Sequence, residues 1–183
     1  MPSMNTPYAV LAFASLFQPR PRFEGSDQKV YQATLIFPPA SQKSDAYKAM
    51  TDACIAQAKE GFGPAVNLKS LTMPFKDAGE KSGQWAGFEP GHTYIKCWST
   101  SKPGIVDVRR EEILVPEEVW AGQLVRANVS PKFWQNSGKK GVSFFLNHLQ
   151  IVRTDRPRID GKGSAVKAFD DGLVAAEESD SPF

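Results

Sequence analysis

Apolar residues fall in short runs separated by proline, glycine and charge, and most runs have strand length. Residues 8–17 (YAVLAFASLF) are apolar at odd and even positions alike, which suits a strand buried on both faces. The segment Pro19-Arg20-Pro21-Arg22 ends it, because proline cannot donate to a sheet ladder, and Glu24-Gly25-Ser26-Asp27 reads as a turn. A second strand covers residues 29–37 and stops at Pro38-Pro39. Ser44 and Asp45 then suit the N-cap of a helix to about Lys59, with Ala49, Ala53 and Ala56, joined by Tyr47, Met50 and Cys54, as its apolar face and Gly61 and Gly63 as its stop. Residues 64–91 show no period and are rich in Gly, Lys and Asp, and so long a loop inside a compact domain points to function or mobility.

Strict alternation returns at residues 92–99 (HTYIKCWS). Thr93, Ile95 and Cys97 take one face and His92, Tyr94, Lys96 and Trp98 the other. Residues 104–108 make a short strand, and Pro116 opens a single helical turn. Residues 122–133 form a strand with Val125, Ala127 and Val129 inward and Leu124, Arg126, Asn128 and Lys132 outward. The loop 135–140 returns the chain into a last strand, residues 141–152. Five main strands with one helix between the second and third suit a mainly β fold, a five-stranded Greek-key barrel of the OB type. Periodicity alone equally allows a sandwich of different strand order. The barrel domain is expected over residues 1–153. Residues 154–183 lack the apolar surface to fold and are expected to be a flexible, disordered tail, acidic from residue 170.

Charge changes the picture more than overall composition does. The 183 residues carry 22 Lys and Arg against 20 Asp and Glu, a net charge of +2. Lys167 is the last base, and five acids follow it: Asp170, Asp171, Glu177, Glu178 and Asp180. Residues 1–167 therefore hold all 22 bases against 15 acids, net +7, and the tail carries −5. Such asymmetry points to a nucleic-acid-binding body with an acidic tail. No apolar run approaches the roughly 18 residues of a membrane span, and the apolar segment at residues 8–17 has neither a basic leader nor a cleavage site, so a cytoplasmic protein is expected. Cys54 and Cys97 cannot build a disulfide framework or a zinc site; a single bridge between them is allowed, and two buried free thiols are the favoured reading.

Candidate chemistry lies in rings and cations. Tyr94, Lys96 and Trp98 on one strand face would offer stacking platforms about 7 Å apart with a cation between them, as single-stranded nucleic acid requires. The same alternation would let Tyr94 and Trp98 close a second small core; Lys96 between them favours binding. Phe75, Trp85 and Trp134 are further candidate platforms. Arg126 and Lys132 on one strand face, Lys139 and Lys140 at a hairpin tip, and Lys102, Arg109, Arg110, Arg20 and Arg22 elsewhere supply candidate phosphate contacts. The chain ends Asp180-Ser181-Pro182-Phe183, an apolar ring beside a free carboxylate, which suits capture by a partner protein. Catalytic readings are weak. His92 and His148 lie on different strands, no cluster has metal-ligand spacing, and no carboxylates can be shown to converge, so neither metal nor cofactor is expected and no enzyme is read. A phage structural or assembly barrel that binds protein, and less so a DNA-processing enzyme, are the competing readings.

Longer stretches carry a resemblance. Residues 9–19, 31–39 (YQATLIFPP), 102–107 (KPGIVD), 119–129 (VWAGQLVRANV) and 139–153 (KKGVSFFLNHLQIVR) resemble bacteriophage single-stranded DNA-binding proteins with an OB-fold core and an acidic tail. The ending is similar to the acidic tip of bacterial single-strand-binding proteins, with Asp180, Pro182 and Phe183 matching and Ser181 interrupting the acids. The resemblance implies sequence-independent binding of single-stranded DNA during replication, recombination or repair, with the tail recruiting replication or recombination proteins. Oligomeric state stays open.

Overall fold

The computed structural model describes residues 2–159. Five long strands close on themselves: β1 (Ala9–Pro21), β2 (Lys29–Phe37), β3 (Thr93–Ser99), β4 (Leu124–Asn136) and β5 (Lys139–Arg153). β1 pairs with β2, β2 with β3, β3 in parallel with β5, β5 with β4, and β4 with the start of β1, so the ring runs β1-β2-β3-β5-β4-β1. That ring is the OB-fold barrel. Short strands Met4–Asn5, Lys76–Asp77 and Gly104–Val106 add to it at β4, β3 and β5. Inward residues are those the alternation assigns: Ile95, Cys97, Val125, Ala127 and Val129 are buried, with Leu11, Leu35, Phe37, Phe144 and Leu149 around them. Both cysteines are free and buried, and burial pushes each thiol up to about 12. The Cys97 thiol donates to the Ala33 carbonyl at 3.3 Å.

Helix α1 (Asp45–Phe62) begins as its cap requires: Ser44 Oγ accepts the Tyr47 N–H at 3.2 Å. Its buried face differs from the expected alanine stripe. Met50, Cys54, Gln57 and Ala58 are buried, with Tyr47 half-buried, while Ala49 and Ala56 are exposed. The larger side chains bury more apolar area per position and so decide the rotation. Gly61 does not stop the helix. It lies in the last turn because the Phe133 ring packs where a Cβ would stand, and Gly63, at φ +95, ends the helix instead.

Three other strand boundaries move for physical reasons. β1 runs on through Pro19 and Pro21, since at that end it pairs with β2 alone and its other edge needs no donor. β4 and β5 meet through Ser137 and Gly138, at φ +49 and +79, a tight primed turn that brings Lys139 and Lys140 into the ladder. β1 is not buried on both faces. Its register slips between Ala12 and Ser15, Phe13 sits at φ +42, and its ring is 51% exposed.

The long loop 64–91 folds against the barrel. Residues 78–91 close a second small core on the outside of β1, β2 and β3, where Phe88 and Ala78 cover Ala12, Ile36 and Tyr94. Beyond β5 the chain does not leave at once. The Pro157 carbonyl packs against Gly122, and the Ile159 N–H donates to the Ala121 carbonyl at 3.0 Å. Asp180, Pro182 and Phe183 lie outside the described residues. Among the described residues no helix is long and apolar enough to cross a membrane.

Candidate nucleic-acid interface

The exposed side of β1, β2 and β3 is only partly covered by the 78–91 loop. Cross-strand partners on it run in rows: Ile36 beside Tyr94, Thr34 beside Lys96, Gln32 beside Trp98. The first row is roofed by Phe88. The second is open and forms the floor of a pocket of about 270 Å³, with Phe13, Trp85 and Lys81 on its walls. Phe13 and Trp85 meet edge to face, their centroids 5.2 Å apart. Only the bulge allows this, since a regular pleat at Phe13 would turn the ring elsewhere. Trp85 is 39% exposed.

The third row continues the surface. Two residues along β3 from Lys96, the Trp98 ring carries the Arg22 guanidinium 4.3 Å above its centroid. Trp98 meets Phe145, its neighbour on β5, edge to face at 4.6 Å. Lys132 Nζ lies 5.2 Å from the Phe145 centroid. The result is a band of rings and cations crossing the barrel wall from β1 to β4: Phe13 and Trp85, then Lys81 and Lys96, then Trp98 with Arg22, then Phe145 with Lys132.

Among the described residues none of the cations on this band is ion-paired: the ion pairs join Lys48 to Asp52, His92 to Glu89 and Arg153 to Asp155. Lys96 registers the imbalance: burial, then the charges of Lys76 and Lys81, hold its ammonium below the ordinary lysine range. A bound anion would remove the repulsion among these three lysines. Partly exposed rings beside cations that no described carboxylate pairs suit a polyanion whose bases are free to stack.

Five of the residues singled out in the sequence thus come together: Arg22, Trp85, Lys96, Trp98 and Lys132. Others do not join them. Tyr94 is 3% exposed under Phe88, so its ring is packed on both sides and is part of the second core, not a platform. Phe75 is wedged between Tyr47 and Phe144 at the edge of the main core. Trp134 lies over Gly141, where a Cβ would stand 2.8 Å from the ring. It belongs to the far hairpin with Lys139 and Lys140, the latter above Phe62 of α1 at 5.4 Å. Arg126 shares a strand with Lys132 but lies six residues, about 20 Å, along it, over the Tyr8 ring at 5.7 Å. Lys102 sits over Phe17 at 5.6 Å, and Arg109 is exposed on the loop after Gly104–Val106.

Phe13, Phe145 and Lys81 complete the band and were not singled out in the sequence. Phe145 was legible, since β5 alternates and Phe144 faces the core. Phe13 was not, because nothing in an apolar run marks where a strand bulges. Among the described residues no group of three or more His, Cys, Asp or Glu side chains could hold a metal ion.

A closed OB barrel bearing an aromatic and basic band defines a nucleic-acid-binding class. The chain belongs to the family of the Enterobacter phage Enc34 ssDNA-binding protein, whose family model matches residues 4–181. This is a family of binding proteins, not of enzymes. Solved structures agree on the fold. The single-stranded DNA-binding protein of bacteriophage Enc34 in complex with ssDNA is 17% identical, with 88% of each chain covered and a TM-score of 0.69. Another structure of the Enc34 protein is 18% identical over 92% of this chain and 90% of that one, with a TM-score of 0.66. The single-stranded DNA-binding protein gp2.5 of bacteriophage T7 is 18% identical over 82% of this chain and 91% of that one, with a TM-score of 0.56. No curated protein sequence matches.

Proposed function

We propose that the chain binds single-stranded DNA without sequence preference and serves replication, recombination or repair of phage DNA in the host cytoplasm. The observation that carries this reading is the band itself: Trp85, Trp98 and Phe145 spaced across one barrel face, with Lys81, Lys96, Arg22 and Lys132 among them, none ion-paired among the described residues. Phosphates would satisfy the cations and bases would stack on the rings. Neither interaction distinguishes one base from another. A duplex hides its bases, so the rings favour the single strand.

The tail would act on the same face. Ile159 lines a pocket with Phe13 and Trp85 and approaches Gly87 of the covering loop. The base-free acidic run begins at Asp170, eleven residues further on, within about 40 Å of chain. An acidic segment starting there can compete with DNA for the band, and its Asp180, Pro182 and Phe183 ending can recruit replication or recombination proteins when DNA displaces it. Titration with oligo-dT should quench tryptophan fluorescence, with affinity falling steeply as salt rises. No quenching and no mobility shift at low salt would overturn the proposal.

A further inference from the structure

On its outer side the β4–β5 ribbon leads away from Phe145 and Lys132 toward a second basic groove. The register slips between Asn128 and Val129, and the adjacent residues Asn147 and His148 are half-buried and exposed. Asn147 Nδ2 donates to Asn128 Oδ1 and Ser130 Oγ at 3.0 and 2.9 Å, and Asn128 Nδ2 donates to Asn5 Oδ1 at 3.0 Å. These bonds hold the amides in place along the ribbon. Beyond them lies a groove of about 220 Å³ lined by Arg110, Arg126, His148, Asn5, Asn128 and Gln150.

The backbone of Arg110 and the side chains of Arg126 and His148 are each held by a separate device. Arg110 sits at φ +67, a conformation costly for a side-chain-bearing residue. It is held there because its N–H donates to the Asp107 carbonyl, while Asp107 Oδ1 accepts the Arg109 and Glu111 N–H groups at 2.8 and 2.9 Å. Arg126 rests on the Tyr8 ring. His148 Nδ1 accepts the Gly104 N–H at 3.3 Å, which leaves the proton of a neutral ring on Nε2. Gly104 permits that approach, since a Cβ would stand 2.9 Å from Nδ1. Neither arginine has a carboxylate within ion-pairing distance among the described residues.

Two unneutralised guanidinium groups and an imidazole donor converging on one groove suit a phosphodiester. We propose that this groove is a second backbone-binding site for the same DNA strand, reached along the β4–β5 ribbon after the strand leaves the aromatic band. The inference rests on the proposed single-stranded DNA binding. From Phe145 to Gln150 is about 17 Å along β5, so only a strand longer than the band itself spans can occupy both.

The test compares the full chain with its Arg110→Gln/Arg126→Gln variant on oligo-dT of about 8 and about 25 nucleotides, within the range one or two OB surfaces cover. Affinity for the short strand should stay within about twofold, and affinity for the long strand should fall about tenfold at low salt. The slope of log affinity against log salt should fall by about 1.4 on the long strand alone, for two phosphates released. Circular dichroism and melting temperature check the fold, and Arg110→Gln alone, in an exposed loop, should show about half the effect in the logarithm. Equal weakening on both lengths, or none on either, overturns the second site. A wild type that fails on the short strand, with a variant that still loses long-strand affinity, would leave the groove standing and sink the aromatic band instead.

Discussion

Trp98→Ala is the sharpest test of the band. Trp98 lies outside the barrel core and is held by two contacts, Phe145 at 4.6 Å and Arg22 at 4.3 Å. The edge-to-face pair is worth about 0.5–1.5 kcal/mol and the cation–π contact about 0.5–1 kcal/mol, so the variant should lose roughly 1–2.5 kcal/mol of stability and still fold. Base stacking on the ring is worth about 1–3 kcal/mol, which predicts about a 5- to 150-fold weaker Kd for oligo-dT. The assay is fluorescence anisotropy of labelled oligo-dT at fixed low salt, beside a thermal melt. Trp98→Phe keeps a ring and should recover most of the affinity. If Trp98→Ala melts as expected yet binds with wild-type Kd, stacking at this position is refuted. If the variant does not fold, the assignment of Trp98 to the outer face fails.

Phe13→Gly gives up two ring contacts, with Trp85 and Phe88, worth about 1–3 kcal/mol together, against about 1–2 kcal/mol of left-handed backbone cost relieved, so the melting temperature should change little or fall slightly while DNA binding weakens; a wild-type Kd would exclude Phe13 from the band. Lys96 predicts a pH effect: with its ammonium destabilised by burial and by Lys76 and Lys81, it deprotonates below the ordinary lysine range, so affinity should fall there as pH rises. In the free protein the sign reverses, because the unfolded chain binds more protons in that window and stability rises with pH; Lys96→Arg should abolish both effects. Gly61→Ala would drive a methyl group into the Phe133 ring, and denaturant unfolding should show a loss of about 1–3 kcal/mol although alanine is the better helix former. Deleting residues 170–183 should raise DNA affinity at low salt if the tail competes for the band, and unchanged affinity would remove the competition but not partner recruitment.

The strand count, the place of the helix and the inward set Ile95, Cys97, Val125, Ala127 and Val129 were legible along the chain, because a strand with one wet face alternates and a cap needs a side-chain oxygen where Ser44 stands. The split of charge was equally plain, since it is a property of composition. Tertiary structure alone decided which outward rings stay outside. Tyr94 and Trp98 share a face of β3 and are equivalent by period, yet the 78–91 loop roofs Tyr94 and leaves Trp98 half-buried at the surface, and no local pattern says where a loop will land. Phe13 reaches the surface through a bulge that the apolar run conceals. Arg126 and Lys132 alternate alike but stand about 20 Å apart on a long strand, so parity places them on one face and distance separates their roles. Period determines the side of a strand a residue takes; closure of the barrel and the path of its loops determine what covers that side.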